Sequence, residues 1–343
     1  MILAIQLIIA CSLVIYGGIR LTEKGDQLED VAGISSGIVG TILLAAITSL
    51  PEFVATFSSI YYLNAPQLAL GNIFGSNTFN LAILAVLDLF FIREILYHKA
   101  PRAVIKALSV SLILTILALT GIILNSEAYT IEIAISGKPI FIISWFSLTL
   151  LIVHIFTLKE TSETDESDTE RNENDDENEV PHAITRSRLI TEFCFYAAIV
   201  VISGIWLTNV CDNIADITGI GKTFVGSILL AFATSLPEAT VCTVAAKLGA
   251  FHLVFGNIFG SNIFNLFILG FADLSTPRIA LLSVPDVQLN LITGMGSLFM
   301  SGLVLYAIFS KVGKKGSRFI STTLFAVYIV TFYIMFIQQQ AIQ

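Results

Sequence analysis

The sequence predicts an all-α integral membrane protein whose ten transmembrane helices form two inverted five-helix repeats. Three observations lead there. The 343 residues are 55% hydrophobic and only 13% charged, about half the ~25% charge of a soluble domain, and the mean hydropathy is +0.84. Ten apolar stretches are long enough for membrane-crossing helices, each of which needs roughly 20 residues. The chain also repeats itself across its middle. Such a composition excludes an ordinary soluble enzyme, a nucleic-acid binder and a disordered chain.

The apolar stretches lie near 2–19, 34–60, 67–92, 103–124, 139–158, 189–208, 220–246, 251–272, 287–309 and 318–337. The run from Ile2 to Ile19 follows no basic region and ends at no small-residue cleavage site, so it reads as a first span and not as a removable signal peptide. The stretches are continuously apolar and do not alternate with period two, which argues against a β-barrel.

Between the fifth and sixth stretches, residues 160–179 hold eleven acidic residues against the single base Arg171, a charge of −10. The rest of the chain sums to +2, so the overall −8 belongs to one segment. A run this acidic and poor in apolar residues builds no core and reads as a linker. The expected organisation is a first five-helix repeat over 1–158, an acidic linker over 159–188 and a second repeat over 189–343. If the connections alternate sides, fifteen of the 18 Lys and Arg residues fall on one side, and only Lys138, Lys222 and Arg278 on the other. By the positive-inside bias the linker faces the cytosol and both termini face outside, most simply at the cell membrane. Cys11, Cys194, Cys211 and Cys242 show no metal-ligand or disulfide spacing.

The repeat is explicit. GIRLTEKGDQLEDVAGI from Gly18 matches GIWLTNVCDNIADITGI from Gly204, and VGTILLAAITSLPE ending at Glu52 matches VGSILLAFATSLPE ending at Glu238, both at an offset of 186 residues. GNIFGSNTFN from Gly71 then matches GNIFGSNIFN from Gly256 at an offset of 185. Five spans per copy is an odd number, so the copies enter the membrane from opposite sides. Inverted halves with interrupted helices are the pattern of a secondary transporter whose site lies between the repeats near the midplane.

The second stretch carries Thr48, Ser49, Pro51 and Glu52 far from its ends, and the seventh carries Thr234, Ser235, Pro237 and Glu238. A carboxylate near the bilayer centre costs at least ~2.5 kcal/mol and is normally turned inward onto a partner. Pro51 cannot donate to the carbonyl of Ile47, so the helix is kinked or broken and backbone oxygen is freed. Thr48 and Ser49 precede Glu52 by four and three residues, which puts hydroxyls and carboxylate on neighbouring positions of one face. The third stretch adds Asn72, Ser76 and Asn80 at intervals of four, mirrored by Asn257, Ser261 and Asn265. Gly71 and Gly75, with Gly256 and Gly260, allow another helix to approach closely. Two carboxylates, several hydroxyls and freed carbonyls make an all-oxygen cluster of charge −2, the ligand set of a hard cation such as calcium. Asn72 and Asn257 serve equally well as packing groups. Asp88 and Asp273, toward span ends, and Asp26, Asp30, Asp212 and Asp216, just before spans, read as solvated loop or helix-cap residues.

Enzyme chemistry finds no residues to carry it. His98, His154, His182 and His252 form no ligand spacing, Ser49 and Ser76 have no base in their own spans, and no cofactor is expected.

At these residues the chain resembles the sodium/calcium exchanger family of the calcium/cation antiporter superfamily. TSLPE at 48–52 and 234–238 and GSNxFN at 75–80 and 260–265 match the family's two α-repeats, and the likeness extends over all ten spans. It implies two inverted five-helix repeats with four short motif helices around a site that binds calcium or several sodium ions in alternation. In that likeness Glu52 and Glu238 are the shared ligands of both ions. Thr48 and Thr234 offer backbone carbonyls, Ser49, Ser235, Ser76 and Ser261 are sodium-site hydroxyls, and Asn80 is the polar ligand of the third helix. Asn265 stands where many prokaryotic and potassium-dependent members carry Asp, which favours a potassium-independent site. Ile47 and Ala233 replace a glycine common in the family, and the linker is too short for the regulatory calcium-binding domains of animal exchangers.

The expected activity is therefore sodium/calcium antiport by alternating access, with sodium entering, calcium leaving and the first and sixth spans sliding. A proton- or potassium-coupled antiporter of calcium or another divalent cation is the alternative. A passive cation channel, or a sensor signalling through the linker, is the alternative of a different class. The partners expected are calcium and sodium ions and the lipid bilayer, and no nucleic acid.

Overall fold

The computed structural model describes residues 2–32, 45–92, 95–124, 130–135, 138–156, 186–276, 280–284 and 288–342. The linker expected over 159–188 falls almost wholly outside them, as do the first eleven residues of the second expected span. In chain order the helices are α1 (Ile2–Ala32), α2 (Leu50–Tyr61), α3 (Pro66–Val86), α4 (Arg102–Ile123), α5 (Trp145–Phe156), α6 (Arg186–Thr218), α7 (Lys222–Thr234), α8 (Leu236–Leu248), α9 (Phe251–Ser275), α10 (Leu289–Phe309) and α11 (Lys314–Ile342). Seven of them are long and apolar enough to cross a membrane, and α7 and α8, bent by 44° at the break between them, are so when taken together.

Local sequence sets the helix ends. Pro51, Pro66 and Pro237 sit in the first turns of α2, α3 and α8, where a missing N–H leaves nothing unpaired and φ is already helical. Gly249 ends α8 at φ 77°, the left-handed cap that a glycine adopts without a Cβ clash.

The fifth expected span is corrected. Residues 139–144 are extended, forming most of a strand β2 (Lys138–Ser144) that pairs antiparallel with β1 (Thr130–Ile135), Thr130 opposite Ser144 and Ile135 opposite Lys138. The described helix begins only at Trp145. The cause is visible in the residues: Ile131, Ile133 and Ile135 alternate with Thr130, Glu132 and Ala134, and Ile140 to Ile143 are β-branched or aromatic, a composition that favours a strand. This hairpin is the one departure from an all-helical chain among the described residues.

α3 and α9 lie at the centre, with 78% and 72% of their apolar windows buried, whereas α1 and α6 have 22% each. The outer pair runs antiparallel. Lys24 of α1 bonds Glu192 of α6 at 2.8 Å, Tyr16 meets Tyr196 edge-on with centroids 6.1 Å apart, and Gly17 faces Ile199 and Val200. The pair rests on the inner helices through matched glycines, Gly18 against Pro237 and Gly204 against Val54.

Contacts between distant segments sort the connections onto two ends. Lys24 with Glu192, Lys247 over the Phe91 ring and Ser317 on Asp88 define one end. Tyr61 on the Ser275 carbonyl and Asp273 on the Ser144 amide define the other.

Candidate functional site

The two TSLPE segments meet at the centre with matching backbones. Ser49 has φ −85° and ψ 10°, and Ser235 has φ −89° and ψ 10°. Each serine is the hinge between two short helical pieces, residues 45–48 and α2 in the first repeat, α7 and α8 in the second. The prolines two residues on cannot donate to the carbonyls of Ile47 and Ala233, and the helix is interrupted there as the sequence leads one to expect.

All ten candidate residues are buried: Thr48, Ser49, Glu52, Ser76, Asn80, Thr234, Ser235, Glu238, Ser261 and Asn265 each show 0% exposure. They are joined by hydrogen bonds that cross between repeats in matched pairs. Ser235 Oγ donates to Glu52 Oε1 at 2.7 Å, and Ser49 Oγ donates to Glu238 Oε1 at 3.1 Å. Within each repeat Ser76 and Ser261 reach the same two Oε1 atoms at 3.4 Å. Thr234 Oγ1 donates to Asn72 Oδ1, and Asn257 Nδ2 donates to Thr48 Oγ1, both at 3.1 Å. Asn72 and Asn257 are therefore cross-repeat struts that hold the threonines.

Four side-chain oxygens complete the pattern. Glu52 Oε2, Glu238 Oε2, Asn80 Oδ1 and Asn265 Oδ1 are buried without a hydrogen-bond partner among the described residues. Two are carboxylate oxygens, and such atoms cost several kcal/mol to bury uncompensated. The four are related by the repeat and are all acceptors; Ser235, Ser76, Ser49 and Ser261 hold the glutamates, and Asn262 and Asn77 hold the two asparagines. That donor set fits a hard cation, which binds carboxylate and amide oxygens.

Asn77 and Asn262 escaped the sequence reading. They stand one residue off the stripe of intervals of four, and only their recurrence in both copies of GSNxFN marks them. In the fold they face each other on α3 and α9, each donating Nδ2 to the other's backbone carbonyl at 3.3 Å.

Close packing brings these elements together. A Cβ on Gly71 or Gly75 would run into the backbone of Thr223 or Ser227, and one on Gly226 into the carbonyl of Leu68. α3 and α7 thus touch backbone to backbone, as the small residues anticipated.

The outlying aspartates divide. Asp88 and Asp273 are not solvated: they show 4% and 0% exposure. Ser317 and Ser321 donate to Asp88, and the N–H groups of Ser144 and Leu281 to Asp273. The start of α11 closes over Asp88, and the end of β2 with the Leu281 turn closes over Asp273, which one span read alone does not reveal. Asp212 pairs with Lys222 at 2.5 Å. The side chains of Asp26 and Asp30 lie outside the described residues.

Fold and cluster define a polytopic membrane protein with two buried glutamates, one from each repeat, each held by serine hydroxyls at its centre. The model of the family described as sodium/calcium exchanger protein matches residues 2–164 and 189–337. The chain belongs to that family, whose members are transporters and not enzymes. It is 27% identical over 317 residues to an uncharacterized membrane protein of Methanocaldococcus jannaschii, covering 92% of this chain and 93% of that one. It is 33% identical to the sodium/calcium exchanger MaX1 of Methanosarcina acetivorans over 140 residues, 40% of this chain and 38% of that one. The solved structure of the sodium-calcium exchanger NCX_Mj soaked with sodium and calcium superposes with a TM-score of 0.61 at 23% identity, covering 96% of this chain and 97% of that one.

Proposed function

We propose that this protein exchanges sodium for calcium across a cell membrane by alternating access, through a site formed by Glu52, Glu238, Thr48, Thr234, Ser49, Ser235, Ser76, Ser261, Asn80 and Asn265. The observation that carries this reading is the set of four symmetry-related, unpartnered oxygens on Glu52, Glu238, Asn80 and Asn265. Two buried carboxylates repel each other and are costly to leave bare. One calcium ion cancels their charge, and sodium ions offset it instead, so the cluster favours one load or the other over none. Exchange follows from that preference.

Antiparallel α1 and α6 supply the moving part. They are the most exposed of the spanning helices and touch the core through Gly18 and Gly204 beside the two motif helices, a contact that permits sliding. In this reading each half contributes five spans, over 1–158 and 189–343, the acidic stretch faces the cytosol as a spacer and both termini lie outside.

Calcium titration of the purified protein in sodium-free detergent checks the site. Binding that sodium displaces, and that Glu52→Gln removes, is the expected outcome. Calcium binding indifferent to both sodium and Glu52 would contradict the proposal.

A further inference from the structure

We infer that Asn77 and Asn262 are positioning residues that fix the polarity of four buried carboxamides, and so admit an amide and reject a carboxylate at positions 80 and 265. The inference rests on the site proposed above. Donor and acceptor identities decide it. A backbone carbonyl only accepts, so the contact of Asn77 with the carbonyl of Asn262, at 3.3 Å, uses Asn77 Nδ2. Asn77 Oδ1 must then face Asn265, and Asn265 meets it with Nδ2 at 2.9 Å. The remaining atom, Asn265 Oδ1, has nowhere to turn and stands unpartnered among the described residues. The second copy runs through the same steps: Asn262 Nδ2 donates to the Asn77 carbonyl at 3.3 Å, Asn80 Nδ2 donates to Asn262 Oδ1 at 3.0 Å, and Asn80 Oδ1 is left over.

The orientation of both ligand oxygens is thus set by two backbone carbonyls at the contact of α3 with α9. All four side chains are at most 1% exposed, so water does not relieve a mismatch. An aspartate at 265 would set a carboxylate oxygen against Asn77 Oδ1. Turning the Asn77 amide around would only move the acceptor clash to the Asn262 carbonyl. The cluster is therefore built for a charge of −2, and a third carboxylate is excluded by hydrogen-bond polarity.

Two readouts on the full chain test this. In thermal melts of purified protein, Asn265→Asp should lower the midpoint strongly beside Asn77 and clearly less in the Asn77→Ala background, where the opposing oxygen is gone. Equal losses in both backgrounds would overturn the inference, whether or not the protein binds cations. In calcium titrations, Asn77→Ala should weaken binding about tenfold, the order expected for one misdirected buried polar group, and add almost nothing to Asn265→Ala. Additive losses, or an unchanged affinity, would count against positioning through Asn265 even if wild-type protein binds calcium and Glu52→Gln does not. The mirror variants Asn262→Ala and Asn80→Asp give the same comparison if either first variant fails to fold.

Discussion

Ser235 Oγ lies 2.7 Å from Glu52 Oε1, a bond between residues of opposite repeats. Its counterpart, Ser49 to Glu238, is longer at 3.1 Å. Each carboxylate is held by a hinge serine of the other half, so neither repeat owns a complete site.

That arrangement makes the serines unequal. Loss of a hydrogen bond to a charged group costs about 1.5–3 kcal/mol, so Ser235→Ala should weaken cation binding by roughly tenfold or more, and Ser49→Ala by less. Parallel calcium titrations of the two variants measure the difference. Equal effects would mean that the two carboxylates are held alike.

Neutralising the carboxylates is more severe. Glu52→Gln and Glu238→Gln each halve the charge of the centre, and calcium uptake into sodium-loaded vesicles should fall to background. Because both side chains are buried without a countercharge among the described residues, removing a charge should not unfold the protein; size-exclusion profiles and melting curves should match the wild type or lie above it.

Backbone contact between α3 and α7 predicts a packing defect at Gly75. A methyl there would overlap the Ser227 backbone, and overpacking of this kind costs about 1–3 kcal/mol. Gly75→Ala should lower the melting midpoint. Gly302, where an added Cβ would meet nothing within 4 Å among the described residues, is the control. Gly302→Ala should be neutral or slightly stabilising, since alanine is the better helix former by up to ~1 kcal/mol.

Asp273 offers a stability test away from the site. Its two oxygens accept the N–H groups of Ser144 and Leu281 at 3.1 and 2.7 Å. In Asp273→Asn an amide N–H must face one of these donors, at a cost of about 1–3 kcal/mol. The midpoint should fall while calcium affinity in the folded protein stays the same.

Much of this was legible in the residues because duplication writes the same chemistry twice. TSLPE and GSNxFN recur at fixed offsets, and the residues they nominated are buried, the serines on the glutamates and Asn80 and Asn265 on Asn262 and Asn77. Repetition with an odd number of spans leads one to expect an inverted arrangement, and the fold shows α1 and α6 running antiparallel. What stayed hidden depends on pairing across space. Residues 139–144 are apolar enough for a span, yet their β-branched character and the alternating partner at 130–135 make them a strand. Asn77 and Asn262 lie off the helical stripe, and their partners are 185 residues away in the other repeat. Asp88 and Asp273 are near span ends, where solvent is the natural expectation, until the segments that donate to them, at Ser317 and Ser321 and at Ser144 and Leu281, are assembled.

In the proposed function, one −2 centre trades calcium for sodium. Radiolabelled calcium uptake into proteoliposomes loaded with sodium, potassium or choline at a clamped pH measures it. Uptake that requires internal sodium, collapses when the sodium gradient is dissipated and is absent in Glu52→Gln is the predicted result. Uptake of equal size without sodium, or driven by a pH gradient alone, would contradict it.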